Sequence, residues 1–132
     1  MGTFLSLDES QGVLLIRFEG AVNDQVLLER FGRVREWLVG HGYYSSITDF
    51  SAVDSFEVTA QGVNRLAADA PLVPDRYRRV VVAPQDEIYG MTRMFEMLGS
   101  GTRDRVDVVR TMAEACRQVG VDGLTLRALI EW

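Results

Sequence analysis

The stretch "ITDFSAVDSFEVTAQGV", residues 47–63, decides how this chain is to be read. It begins inside the apolar strand pattern "YSSITDF", and it ends in a helix whose Val63, Leu66, Ala67 and Ala70 share one face before Pro71. Residues 48–63 hold three acids (Asp49, Asp54, Glu57) and four hydroxyls (Thr48, Ser51, Ser55, Thr59). A strand that passes through a polar turn into an amphipathic helix is the building unit of a parallel α/β sheet. Thr59 stands where a helix N-cap belongs, because its hydroxyl can accept from a backbone N–H that the helix leaves unpaired.

The same unit repeats outward from this stretch. Downstream, "RRVVVAP" is a β-branched run closed by Pro84, the pattern of a central strand buried on both faces. Asp86 then caps a helix with Ile88, Met91, Phe95 and Leu98 inward, and "GSG" ends it before the strand "VDVV". Thr111 and Glu114 form a capping box for a last helix that buries Met112, Ala115, Cys116 and Val119. Upstream, "TFLSLD" and "VLLIRFEG" are joined by the turn composition "ESQG" and read as an antiparallel hairpin. Asn23 caps a helix in which Leu27, Phe31, Val34 and Leu38 recur at helical spacing, Glu29 pairs with Arg33, and Gly40 and Gly42 end it. The tail "LTLRALIEW" reads as one more helical turn.

The expected fold is α/β: a single domain over residues 1–132, with an N-terminal hairpin leading into a mostly parallel five-stranded sheet and about four helices. Sites in such sheets lie beyond the carboxyl ends of the strands. Here those ends are Glu19 and Gly20, Asp49 to Thr59, Gln85 and Asp86, and Arg110 and Thr111.

Composition narrows the classes. All 14 basic residues are Arg and the net charge is −5, so no basic field exists to hold a nucleic acid. The single cysteine, Cys116, excludes an intramolecular disulfide and reads as a core residue, and no apolar run reaches the ~18–20 residues of a membrane span. A cytoplasmic protein is expected. His41 has no second ligand near it in sequence, and no phosphate loop, nucleophile elbow or Ser-His-acid set is present, so neither a metal, a cofactor nor an enzyme activity is expected.

The stretch resembles the core motif of the anti-sigma-factor-antagonist domains, the STAS or SpoIIAA-like family. In that family an apolar strand ends in Asp-Leu-Ser-Gly-Val and continues through an apolar and an acidic residue to Ser-Ser-Gly-Leu-Gly. In register, Asp49 falls on the strand-end Asp, Ser51 and Val53 on the Ser and Val, Glu57 on the acid, and Thr59 on the hydroxyl that the family's kinases phosphorylate. Val58 and Ala60 depart from the family's Ser and Gly, and the later segments look like a divergent SpoIIAA-like branch. The resemblance implies a non-enzymatic regulatory module that binds a protein partner through Asp49, Ser51, Asp54, Glu57 and Thr59, with Thr59 and Ser55 as phosphorylation candidates and a homodimer as an option.

A second expectation comes from "YGMTRMFEMLGSG", residues 89–101, where Tyr89, Met94 and Met97 widen the apolar stripe of Met91, Phe95 and Leu98. Met-rich surfaces adapt to apolar ligands or partners. The alternative function is therefore a carrier of a small apolar ligand or lipid, with peripheral membrane contact through this helix.

Overall fold

The computed structural model describes residues 2–69, 72–74, 76–99 and 106–132. In chain order these form β1 (Gly2–Asp8), β2 (Val13–Asn23), α1 (Asp24–His41), β3 (Ser45–Glu57), α2 (Ala60–Ala68), β4 (Arg79–Val82), α3 (Asp86–Gly99), β5 (Asp107–Val109), α4 (Met112–Val119) and β6 (Arg127–Glu131). Among the described residues the sheet has six strands in the order β5-β4-β3-β2-β1-β6. β2 to β5 run parallel, whereas β1 is antiparallel to both β2 and β6. The α/β alternation is as the sequence pattern predicts. Ala70, Pro71 and the end of "GSG" lie outside the described residues.

The five-strand expectation is corrected by the tail. Residues 127–131 form β6, not a helical turn, and pair with β1 from Leu7↔Arg127 to Phe4↔Glu131. The outer edge of β1 supplies the reason, since its unpaired N–H and C=O groups accept a strand where a short helix would leave them open. Trp132 extends the seam: Thr3 N donates to its carbonyl (3.0 Å), and its own N–H donates to Thr3 O (2.8 Å).

Alternation along the strands divides the core. On β2, Leu14, Ile16 and Phe18 join the cluster that holds Leu27, Phe31, Val34 and Leu38 of α1, Val63 of α2, and Ile88 and Phe95 of α3. Val13 and Leu15 join a second cluster with Ile47, Val80, Val82, Val109 and the α4 residues Ala115 and Cys116. So α1, α2 and α3 cover one face and α4 the other. Right-handed crossovers from β2 through β5 all step the same way and place their helices together, while the return from β5 to β6 steps back and places α4 opposite. Each side chain of the α1 stripe, fully buried, contributes about 1.5–3 kcal/mol.

The turn after β1 anchors the tail. Asp8 accepts from Ser10 Oγ (3.0 Å), Gln11 N (3.1 Å), Gln11 Nε2 (2.7 Å) and, across 117 residues, Thr125 N (2.9 Å). The Thr125 N–H and then the Gln11 amide hold its carboxyl down from 3.8 to about 2. A group with a depressed folded pKa adds stability above its unfolded pKa and loses it as pH falls through the folded one. Asp8→Asn should therefore lower the urea midpoint at about pH 6. The gap from wild type should close between pH 3.8 and about 2. A gap of constant size through that window would show that Asp8 does not anchor β6.

Candidate functional site

The polar stretch is not a loop. β3 runs unbroken through Glu57, so the expected turn from Asp49 onward is strand, and the handover to α2 occupies only Val58 and Thr59. β4 stops at Val82 opposite Asp49, and β1 begins at Gly2 opposite Glu19. Beyond those points β2 and β3 continue as a two-stranded ribbon of residues 20–23 and 50–57. The register shifts at Arg17/Glu19 and at Gly20/Ala21. Gly20 has φ +78° at the second shift, a conformation that glycine adopts without the Cβ penalty.

The ribbon is anchored beneath and polar above. Phe50 lies 5.2 Å from Phe18 and 5.9 Å from Phe56, and Val53 and Val58 are buried with them. Ser51, Asp54, Ser55 and Glu57 are exposed. Asp49, expected at a strand end and on a binding surface, sits instead within β3 at 6% exposure, accepting from Ser51 N at 2.9 Å. It supports the ribbon and does not present itself to a partner.

Thr59 caps α2, its Oγ1 accepting from Gly62 N at 3.0 Å. The structure adds a partner that the local sequence did not reveal. Asp24, the first residue of α1, accepts from Thr59 N (2.8 Å) and from the Thr59 hydroxyl (2.6 Å). One carboxylate thus ties together two helix N-termini, each of which favours negative charge. The Thr59 hydroxyl is used as both donor and acceptor. The tie spans 35 residues, and a local reading of Asp24 yields only an acid in a first helical turn.

Gln85 and Arg110, placed at strand ends by the sequence without a role, also receive one. Gln85 Nε2 donates to Phe50 O (3.2 Å) and Val53 O (3.1 Å), while its Oε1 is buried without a partner among the described residues. Arg110 donates to Pro84 O (3.0 Å) and Asp86 Oδ1 (2.7 Å) and stacks over Tyr89, 3.9 Å from the ring centroid. Asp86 is the first residue of α3 and an ion-pair partner, where a cap was expected.

The Met-rich helix departs from expectation as well. An apolar cavity of about 50 Å³ lies between α1, α2, α3 and the sheet, and its α3 lining comes from Met91, Thr92 and Phe95. Tyr89, Met94 and Met97 are not among its lining residues. Tyr89 and Met94 pack against the core edge, Met97 is 69% exposed, and Leu98, expected inward, is 45% exposed. His41 stacks on Trp37 with centroids 4.2 Å apart, and Cys116 is buried in the α4 core. Among the described residues no group of three or more His, Cys, Asp or Glu is placed to hold a metal, and no helix is long and apolar enough to cross a membrane.

Two stability predictions follow from this geometry. A Cβ on Gly62 would lie 2.1 Å from Asp24 Oδ1, so Gly62→Ala should expel the Asp24 carboxylate and cost about 1 kcal/mol through the lost helix tie. In an Asp24→Ala background the same substitution should instead stabilise by up to about 1 kcal/mol, the ordinary gain of Ala over Gly in a helix. A double-mutant cycle by urea unfolding checks the sign change, and equal effects in both backgrounds would refute the tie. For α3, Met94→Glu should cost about 2–3 kcal/mol and Met97→Glu no more than about 0.5 kcal/mol, measured by thermal melting. Set beside known proteins, the chain matches no family model, no curated protein and no solved structure.

Proposed function

We propose that the chain is a non-enzymatic regulatory module of the SpoIIAA-like (STAS) plan that binds a protein partner in the cytoplasm through its β2–β3 ribbon. The observation that carries this reading is the ribbon itself: Ser51, Asp54, Ser55 and Glu57 stand exposed on β3 where it runs with β2 beyond the ends of β4 and β1, while Phe50 and Phe56 fix it to the core. A rigid, polar, projecting element of this kind presents side chains to a partner at little ordering cost.

Regulation by phosphate fits the two hydroxyls differently. Ser55 is exposed on the ribbon, so a phosphate there adds about −1.5 to −2 charges to the docking surface and leaves the fold intact. A phosphate on Thr59 must first displace Asp24, whose carboxylate oxygen lies 2.6 Å from Oγ1. Modification at Thr59 would act by breaking the tie between α1 and α2, and modification at Ser55 by direct repulsion.

A second reading, carriage of a small apolar ligand behind α3, is supported by the cavity and by exposed Met97 and Leu98. Its volume of about 50 Å³ is the limit on that reading. An apolar cavity that holds benzene measures ~150 Å³, so a lipid chain would require α3 to lift. Partner binding needs no such opening.

The test is quantitative binding of a partner captured by crosslinking in the source cells and then purified. Asp54→Arg/Glu57→Arg should weaken binding by about 10- to 100-fold and leave the melting temperature unchanged, and Ser55→Glu should weaken it in the same direction. A partner that binds the charge-reversed chain as tightly as wild type would overturn the reading.

A further inference from the structure

We infer that the ribbon's partner docks as an extended, basic segment that adds a strand to the open edge of β3 beside Gln85. This rests on the reading that the ribbon is the docking surface, and it specifies the mode and the chemistry. Strand pairing on the β4 side of β3 ends at Asp49↔Val82, yet β3 continues through Phe50–Glu57 with no further strand on that side among the described residues. Eight residues of strand span about 26 Å, enough to pair with a segment of six to eight residues.

Gln85 marks where the added strand would lie. Its Nε2 donates to Phe50 O and Val53 O, supplying from a side chain the N–H groups that a neighbouring strand would offer. Donation to two carbonyls fixes the amide orientation, and this turns Oε1 into a buried acceptor with no donor among the described residues. Such an acceptor is costly to leave unpaired, so Gln85 is held weakly: an incoming segment whose own N–H groups take Phe50 O and Val53 O displaces the amide and releases Oε1 from its buried place. Main-chain pairing of this kind gives affinity, while side chains flanking the edge set specificity.

The flanking charges select the segment. Asp54 and Glu57 on β3, and Glu87 in the first turn of α3, are exposed and carry no ion pair among the described residues, whereas Asp86 is answered by Arg110. On a chain of net charge −5 these acids favour Arg or Lys on the added strand and disfavour a second copy of this edge, which would bring like charges together.

The probe is a blocked octapeptide of alternating Val and Arg, titrated into the ¹⁵N-labelled full chain. It should shift and slow the exchange of backbone amides in residues 53–57 and shift the Gln85 side-chain amide. N-methylation of alternate peptide residues should weaken binding by about tenfold or more through lost main-chain bonds. Glu in place of Arg should do the same through charge. The inference fails if the N-methylated peptide binds equally well, if the shifts map to residues 91–98 of α3 and spare residues 53–57, or if no binding occurs at millimolar peptide. The two levels separate with the purified partner. Binding that survives Asp54→Arg/Glu57→Arg sinks the ribbon reading itself. Binding that is lost in that variant, but that the Val/Arg peptide does not compete for, sinks strand addition alone.

Discussion

The parallel ladder between β2 and β3, from Val13↔Ser45 to Asn23↔Glu57, is the constraint on which the remaining structure depends. Strand register carries a period of two, so a slip of one residue would exchange the two faces of β2. Leu14, Ile16 and Phe18 would leave the helices α1 to α3, and Arg17 would take a place beneath them. Phe18 shows how tightly the register is held, since its ring contacts Phe31 of α1 at 5.7 Å and Phe50 of β3 at 5.2 Å. The first register shift, between Arg17 and Glu19, falls at Phe18 itself, and the second follows between Gly20 and Ala21, at the end where the ladder leaves its neighbours and becomes the ribbon.

At the far end of that ladder the chain turns twice into helices, and Asp24 joins the two turns. β2 delivers Asn23 and Asp24 beside Thr59 because Asn23 pairs with Glu57. Asn23 Oδ1 caps α1 through Val26 N at 2.9 Å, which leaves Asp24 free to reach across to α2. The cap of one helix and the tie to the next are thus a consequence of strand register, not of helix propensity. Gly62 is required by the same arrangement: the Asp24 carboxylate fills the space a side chain there would take.

Much of this was legible in sequence wherever the determining contacts are local. The α1 stripe, the Asn23 and Thr111 caps, the hairpin and the doubly buried Val80–Val82 run are all short-range patterns, and each appears where the pattern places it. Three features were not legible, each for a long-range reason. β6 depends on the open edge of β1, and its short apolar run suits a helical turn equally well until that edge is known. The extension of β3 through an acid- and hydroxyl-rich segment depends on β2 being long enough to pair with it, against the turn preference of Asp and Ser. The split of α3, with Met91 and Phe95 inward but Leu98 outward, depends on where its neighbours end.

An unpaired strand edge is a hazard as well as an opportunity, and the residues around β3 bear on both. Edges are commonly guarded by charge and by side chains that occupy the ladder positions. Gln85 occupies two such positions, and Asp54 and Glu57 place negative charge along the rest. Guarding by like charge is selective by its nature. It repels a second copy of an acidic chain and any acidic segment but attracts a basic one, so protection against self-pairing and the proposed choice of a basic segment would come from the same carboxylates. Complete protection would look different. A proline or an inward charge in β3, or a β4 extended by a few residues, would close the edge to every strand, whereas Gln85 closes it with a single side chain whose amide donates to two carbonyls and which a strand can displace.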